Sequence, residues 1–225
     1  MLKALFMPLL SEYEVYIFDC DGVILDSNQL KIEAMKNALE AHFSAQDLIA
    51  ECVDYFRHNF GKSRFHHVAH FLDSILTIEE EKRSELEQRI LADFSKQCRT
   101  LYLTAQLTPG FMSFLEHCQG KRYVASGSEQ NELRDVFVQR GLDTHFDGVF
   151  GSPTPKAELI RNILKQENST NAVMFGDAES DMLSAQQNHI DFVFYAPYSN
   201  VKEKMIEQCH LQQHLIIDDF STVRF

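Results

Sequence analysis

The sequence predicts an α/β protein in which a parallel sheet is interrupted after its first strand by a block of helices. Three observations carry this. A β-like run, Val15-Tyr16-Ile17-Phe18, stands alone near the start; residues 28 to 101 show only helical periodicity; and beyond Pro109-Gly110 short apolar runs alternate with amphipathic segments. A chain of 225 residues with 44% hydrophobic content can bury a core of this kind.

Taken in order, the Val15 run ends abruptly at Asp19-Cys20-Asp21-Gly22, and Asp26-Ser27 marks the entry into the helices. Four helical pieces follow. Leu30, Ala34, Met35, Ala38 and Leu39 share a face; so do Leu48, Ile49, Cys52, Val53 and Phe56; so do Phe65, Val68, Ala69, Leu72 and Ile75. The fourth opens with a capping-box match at Thr77-Ile78-Glu79-Glu80 and runs through Leu86, Ile90, Phe94 and Cys98. Further strands are expected at Tyr123-Ala125, Val149-Phe150, Ala172-Phe175, Phe192-Tyr195 and Leu215-Ile217. The expected division is a catalytic core of residues 1–26 and 104–225 with a helical cap over 27–103.

Composition excludes several functions. A net charge of -12 is unsuited to nucleic acid, which demands clustered Lys and Arg. No segment approaches the roughly 20 apolar residues that span a bilayer, and the N-terminal LFMPLL is short, contains Pro8 and lacks a cleavage pattern. Five scattered cysteines without a CxxC pair fit a reduced, cytoplasmic protein. Oligomeric state is not encoded legibly.

In an open parallel sheet, ligands bind beyond the carboxyl ends of the strands. Strand one ends in Asp19 and Asp21, the Tyr123 run in Ser126-Gly127-Ser128, the Val149 run leads to Lys156, and the Met174 run ends in Gly176-Asp177-Ala178-Glu179-Ser180-Asp181. Taken singly, Ser126 with Glu129 fits a helix cap, Asp177 fits another, and Lys156 fits a surface lysine. Lys156 nevertheless falls in the first turn of an expected helix, where the macrodipole disfavours a cation unless an anion is near. Asp19 and Asp21 resist joint ionisation at their spacing, a conflict that a divalent cation resolves. Hard oxygen ligands from Asp19 and Asp177, a backbone carbonyl and waters suit Mg2+ together with substrate phosphate oxygens. The set therefore points to phosphoryl transfer on a small phosphorylated molecule.

With these residues in view, the sequence resembles the haloacid dehalogenase superfamily, in its helical-cap branch of phosphoglycolate phosphatase and β-phosphoglucomutase type. The motifs occur in order: Asp19-Cys20-Asp21-Gly22-Val23, Ser126, Lys156 and Gly176-Asp177-Ala178-Glu179-Ser180-Asp181. The resemblance implies a Rossmann-like core with an inserted cap, and a phosphatase working through an aspartyl phosphate. It implies Asp19 as nucleophile and metal ligand, Asp21 as general acid with its carbonyl on the metal, and Ser126, Gly127 and Lys156 as phosphate binders. Asp177 would complete the Mg2+ site and Asp181 would support it. True dehalogenases lack the acid at the position of Asp21. Many relatives have Pro where Ala157 follows Lys156 here.

In the cap, Gly61-Lys62-Ser63-Arg64 resembles a substrate-recognition loop, with Arg64 or Lys62 placed to reach a second anionic group; the plain reading is a turn capped by Ser63 with two solvated cations. His66, His67 and His70 have no third ligand at metal spacing and no HExxH pattern, so they read as polar cap surface rather than a zinc site. Two alternatives to hydrolysis are a phosphomutase, in which a substrate hydroxyl captures the phosphoenzyme, and, more remotely, a phospho-accepting signalling module. The order of the motifs and the helical insertion disfavour the latter.

Overall fold

The computed structural model describes residues 10–223, so the LFMPLL stretch lies outside them except for Leu10. Six strands form one all-parallel sheet: β1 (Val15–Phe18), β2 (Lys121–Glu129), β3 (Gly148–Ser152), β4 (Ala172–Gly176), β5 (Asp191–Tyr195) and β6 (Leu215–Ile217), ordered β3-β2-β1-β4-β5-β6. The order reverses at β1, between β2 and β4, and β1 delivers Asp19 and Asp21 at that reversal. Parallel strands covered on both faces read as continuous apolar runs, and β1 and β4 are buried at every position.

Alternation along the strands splits the core. Phe18, Val124, Phe175, Val193 and Tyr195 face one side, where Phe18 stacks on Phe175 at 4.9 Å between centroids and meets Phe111 of α5 (Phe111–His117) edge-on at 5.4 Å. Helix α6 (Gln130–Gln139) adds Leu133, Val136 and Phe137 to the same cluster. Val15, Ile17, Met174, Phe192 and Phe194 face the other side, against α7 (Lys156–Glu167), α8 (Glu179–Gln187) and α9 (Lys202–Gln212).

Between β1 and α5 stands the helical cap. It comprises α1 (Asn28–Glu40), α2 (Gln46–His58), α3 (Arg64–His70), which continues as a π-helical turn over Phe71–Ile75, and α4 (Glu80–Thr104). Its inner faces carry Ile32, Met35, Leu39, Cys52, Phe56, Val68, Phe94 and Cys98, in one continuous cluster with the first face of the sheet. Leu30 and Leu48 of the expected stripes are exposed instead. The capping box at Thr77 does not form: Thr77 has φ +49°, and α4 begins at Glu80 after an extended Glu79 without a side-chain cap. All five cysteines are free and buried, and no described helix is long and apolar enough to cross a membrane.

Candidate active site

The strand ends bring Asp19, Asp177 and Asp181 together, with one carboxylate oxygen from each within 4.8 Å of the others, all buried. Lys156, first residue of α7, inserts its ammonium among them, 3.0 Å from Asp19 Oδ1 and in a shorter contact with Asp181 Oδ1. Its placement in a first turn is thus repaid by anions, as the macrodipole argument requires. Burial disfavours the Lys156 ammonium, but Asp181 and Asp19 outweigh that and raise its pKa.

One lysine does not balance three acids. Burial, reinforced by neighbouring carboxylates, raises the pKa of both Asp19 and Asp177. Asp177 Oδ1 is buried with no hydrogen-bond partner, while Oδ2 accepts from Asn28 Nδ2 at 2.6 Å. An unspent oxygen in an acid-rich cluster of this size fits a hard divalent cation, which would keep all three carboxylates ionised. Asp181 differs in kind. Its Oδ2 accepts from the backbone N–H groups of Asp177 and Ala178, at 3.2 and 3.1 Å, and its Oδ1 is engaged by Lys156. Asp181 therefore shapes the turn that presents Asp177, and it, not Asp177, caps α8.

Asp21 goes elsewhere. Its Oδ1 accepts from Ser27 Oγ at 2.6 Å; its Oδ2 accepts from Lys31 Nζ at 2.8 Å, Ser128 Oγ at 3.0 Å and Tyr102 OH at 3.1 Å. Burial pushes this carboxyl up, but Lys31 and the hydroxyls outweigh it and hold Asp21 below the ordinary carboxylate range. Gly22 makes the separation possible. At φ +76°, it occupies backbone space that side chains avoid, and a Cβ there would sit 2.3 Å from Asp177 Oδ2.

Ser126 lies where the register of β2 against β3 shifts, between Ala125 and Glu129. Such irregularities re-aim side chains. Ser126 Oγ accepts from Ser128 N at 3.1 Å, which leaves its own proton to donate; the Ser126–Glu129 cap does not form, because Glu129 itself caps α6 through Glu132 N.

Lys31, Tyr102, Ser27, Ser128 and Asn28 carry no motif and were not anticipated from sequence. Two signals exist in hindsight: Ser128 follows Ser126 by the strand period, and Ser27 and Lys31 stand one helical turn apart. Tyr102 has none.

In the cap, Ser63 caps α3 by accepting from His66 N at 3.2 Å. Lys62 is exposed and donates to Asn59 Oδ1 at 2.9 Å. Arg64 is not a solvated cation: it is 4% exposed and lies 2.8 Å from Glu132 Oε2 of α6. Nor is His67 polar surface. It is fully buried, edge-on to Phe56 at 4.6 Å, whereas His70 stacks on Tyr55 at 3.9 Å.

A cleft of about 570 Å³ opens between the cap loop around Asn59–Ser63 and core residues Gly127 of β2, Pro153 after β3 and Ser180 of α8, and reaches Lys156. Lys156 joins the cleft to Asp19, 1% exposed, while Asp21 is 3% exposed.

A parallel sheet that gathers buried carboxylates and a lysine at its carboxyl edge, under a helical cap, defines a class of capped α/β enzymes. The chain belongs to the haloacid dehalogenase-like hydrolase family, whose model matches residues 13–189. Among solved structures it is similar to β-phosphoglucomutase from Clostridium difficile (19% identity, 95% of this chain and 94% of that one, TM-score 0.68). It is also similar to a hydrolase from Pseudomonas syringae (19%, 92% and 94%, 0.70) and to a predicted phosphoglycolate phosphatase from Haemophilus somnus (14%, 93% and 95%, 0.68). At these identities the likeness speaks for the fold. A comparison with curated protein sequences returns no match.

Proposed function

We propose that the protein, with its cap over residues 27–103, is a cytoplasmic Mg2+-dependent phosphatase that hydrolyses a small phosphorylated metabolite, a sugar phosphate or phosphoglycolate-like acid, through an aspartyl phosphate. The observation that carries this is the separation of Asp19 from Asp21. Neighbours in sequence, they face different partners: Asp19 sits with Lys156 and the acid cluster, Asp21 with a lysine and three hydroxyls. Two carboxylates held by different partners can take two different tasks.

Asp19 attacks phosphorus, forming an acyl phosphate as the ester P–O bond breaks, and Asp21 gives a proton to the leaving oxygen. In the arrangement seen, Asp21 is a carboxylate, so it takes the proton that it later donates from solvent as substrate binds, its proton affinity raised by the incoming phosphate dianion beside it. Asp21 then takes a proton from water as that water attacks the phosphoenzyme, freeing phosphate and Asp19. Ser126 and Lys156 hold the transferring group throughout. Mg2+ held by Asp19, Asp177 and the Asp21 carbonyl would offset the repulsion between carboxylate and phosphate.

The test is phosphate release from a panel of phosphomonoesters, with and without Mg2+. Activity should vanish with EDTA, return with Mg2+, and fall by more than about a thousandfold in Asp19→Asn at unchanged circular dichroism. Full turnover in Asp19→Asn would sink the mechanism, and isomerisation of a glycosyl phosphate without phosphate release would make the protein a mutase.

A further inference from the structure

A cation at a cluster of acids takes oxygen atoms, so what it meets depends on which oxygens the protein has already committed. Asp177 is committed nearly everywhere. Its N–H donates to Asp181 Oδ2 at 3.2 Å, its carbonyl accepts from Ser199 Oγ at 2.6 Å, and its Oδ2 accepts from Asn28 Nδ2 at 2.6 Å. Oδ1 is left, buried and without a partner. Around Oδ2 the packing is tight, for a Cβ on Gly22 would lie 2.3 Å from Oδ2 and 2.5 Å from Asn28 Nδ2.

Asn28 is the first residue of α1, and it is 3% exposed. The orientation of its amide is fixed from two sides. Nδ2 faces two acceptors, Asp177 Oδ2 and, at 2.9 Å, Tyr198 O, and only the nitrogen of an amide can donate. Both amide protons are thereby used, and Asn28 Oδ1 is buried without a hydrogen bond. Buried acceptors are ordinarily paired. A hydrated cation beside Asp177 brings water, whose protons this oxygen can accept. Two unspent oxygens, on residues that a hydrogen bond ties together, thus point to the same ligand.

Given the Mg2+ site proposed above, on which this rests, we infer that Asn28 makes Asp177 a one-oxygen ligand and thereby sets a preference for Mg2+ over Ca2+. Ca2+ gathers about six to eight oxygens, often both from one carboxylate, whereas Mg2+ holds about six in an octahedron and keeps several waters. With Oδ2 tied to Asn28, Asp177 has one oxygen to give. Asp181 has none free, since Lys156 engages Oδ1 and two backbone N–H groups donate to Oδ2. Such a site suits the ion that asks for fewer protein oxygens. Asn28→Ala removes the amide, frees Oδ2 and lets Asp177 turn both oxygens on one ion.

The experiment is calorimetric titration of the metal-free protein with MgCl2 and, separately, with CaCl2, which gives the ratio of the two dissociation constants without turnover. The wild-type protein should bind Mg2+ the more tightly. Asn28→Ala should weaken Mg2+ by roughly tenfold or more, as loss of a group that orients a metal ligand does, and weaken Ca2+ less, moving the ratio toward Ca2+ by roughly tenfold. A merely structural Asn28 would lower the melting temperature of the metal-free protein and leave the ratio alone, because a loss of folded protein affects both ions alike. Wild-type preference for Ca2+, or an unmoved ratio in Asn28→Ala, overturns the inference. Should Asn28→Ala fail to fold, Asn28→Ser takes its place with the same expectation, since one hydroxyl proton cannot serve both Asp177 and Tyr198 O, and the wild-type preference still decides. A protein that shows these ratios but releases no phosphate keeps the inference and loses the phosphatase reading; one that binds neither ion loses both.

Discussion

Asp21 accepts four hydrogen bonds inside the protein, and only one of the donors, Lys31, is charged. Hydroxyls can orient a buried carboxylate, but they do not cancel its charge. Lys31→Met keeps the aliphatic stem beside Phe60 and Tyr102, over whose rings the ammonium now lies at 5.2 and 5.8 Å, and removes the charge alone. Urea unfolding should show a loss of about 3 kcal/mol, in line with a buried pair broken on one side; an unchanged midpoint at unchanged slope would mean that Asp21 does not need Lys31. This residue also marks the limit of what the sequence disclosed. Asp19 and Asp21 were legible because two acids at the end of one apolar run have no cheap structural explanation, and Asp177, which alone fits a helix cap, was legible in combination with them. A lysine within a helix has one, and only the fold turns Lys31 toward Asp21.

At the scale of elements, the sheet was legible for a physical reason: strands buried on both faces must be apolar throughout, and such runs stand out. Helix ends were less so. Thr77 satisfied a capping pattern, yet its left-handed backbone starts α4 three residues later. The histidines of α3 were ambiguous because the helix period cannot say which face meets a neighbouring helix, and the packing of Phe56 and Phe71 around α3 chose His67. Its burial predicts an acid response. Burial, helped by nearby cationic groups, lowers the His67 pKa from 6.5 to about 3. The unfolded chain therefore binds a proton between those values that the folded chain refuses, so stability is complete above pH 6.5 and falls as the pH drops toward 3. Between pH 7.5 and 5 this contributes a loss of about 2 kcal/mol, and His67→Phe should lack that part of the slope. Parallel pH-stability curves for the two proteins would assign the acid sensitivity to other groups.

For the molecule as a whole, the arrangement seen is closed, and the closure depends on backbone contact between cap and core. The cap loop is held by Ser180 Oγ, which donates to Phe60 O at 3.2 Å, and by the Arg64–Glu132 pair. Opposite it, Gly127 has no room for a side chain: a Cβ would meet Gly61 O at 2.6 Å and Lys62 O at 2.9 Å. Because these obstacles are backbone atoms, the loop cannot yield by changing a rotamer; it has to move away. Gly127→Ala should thus act as a wedge that holds the cap off the core, since the atoms it meets are the Gly61 and Lys62 carbonyl oxygens. Solution scattering should report a larger radius of gyration than the wild-type protein, while thermal unfolding shifts little. Water would then reach Asp19 and Asp21. An ångström of misplacement between catalytic groups costs on the order of a hundredfold in rate, so kcat/KM should fall by about that factor. A Gly127→Ala protein with wild-type kinetics and wild-type dimensions would show that the cap already rests farther from the core in solution, and that catalysis does not pass through the closed form.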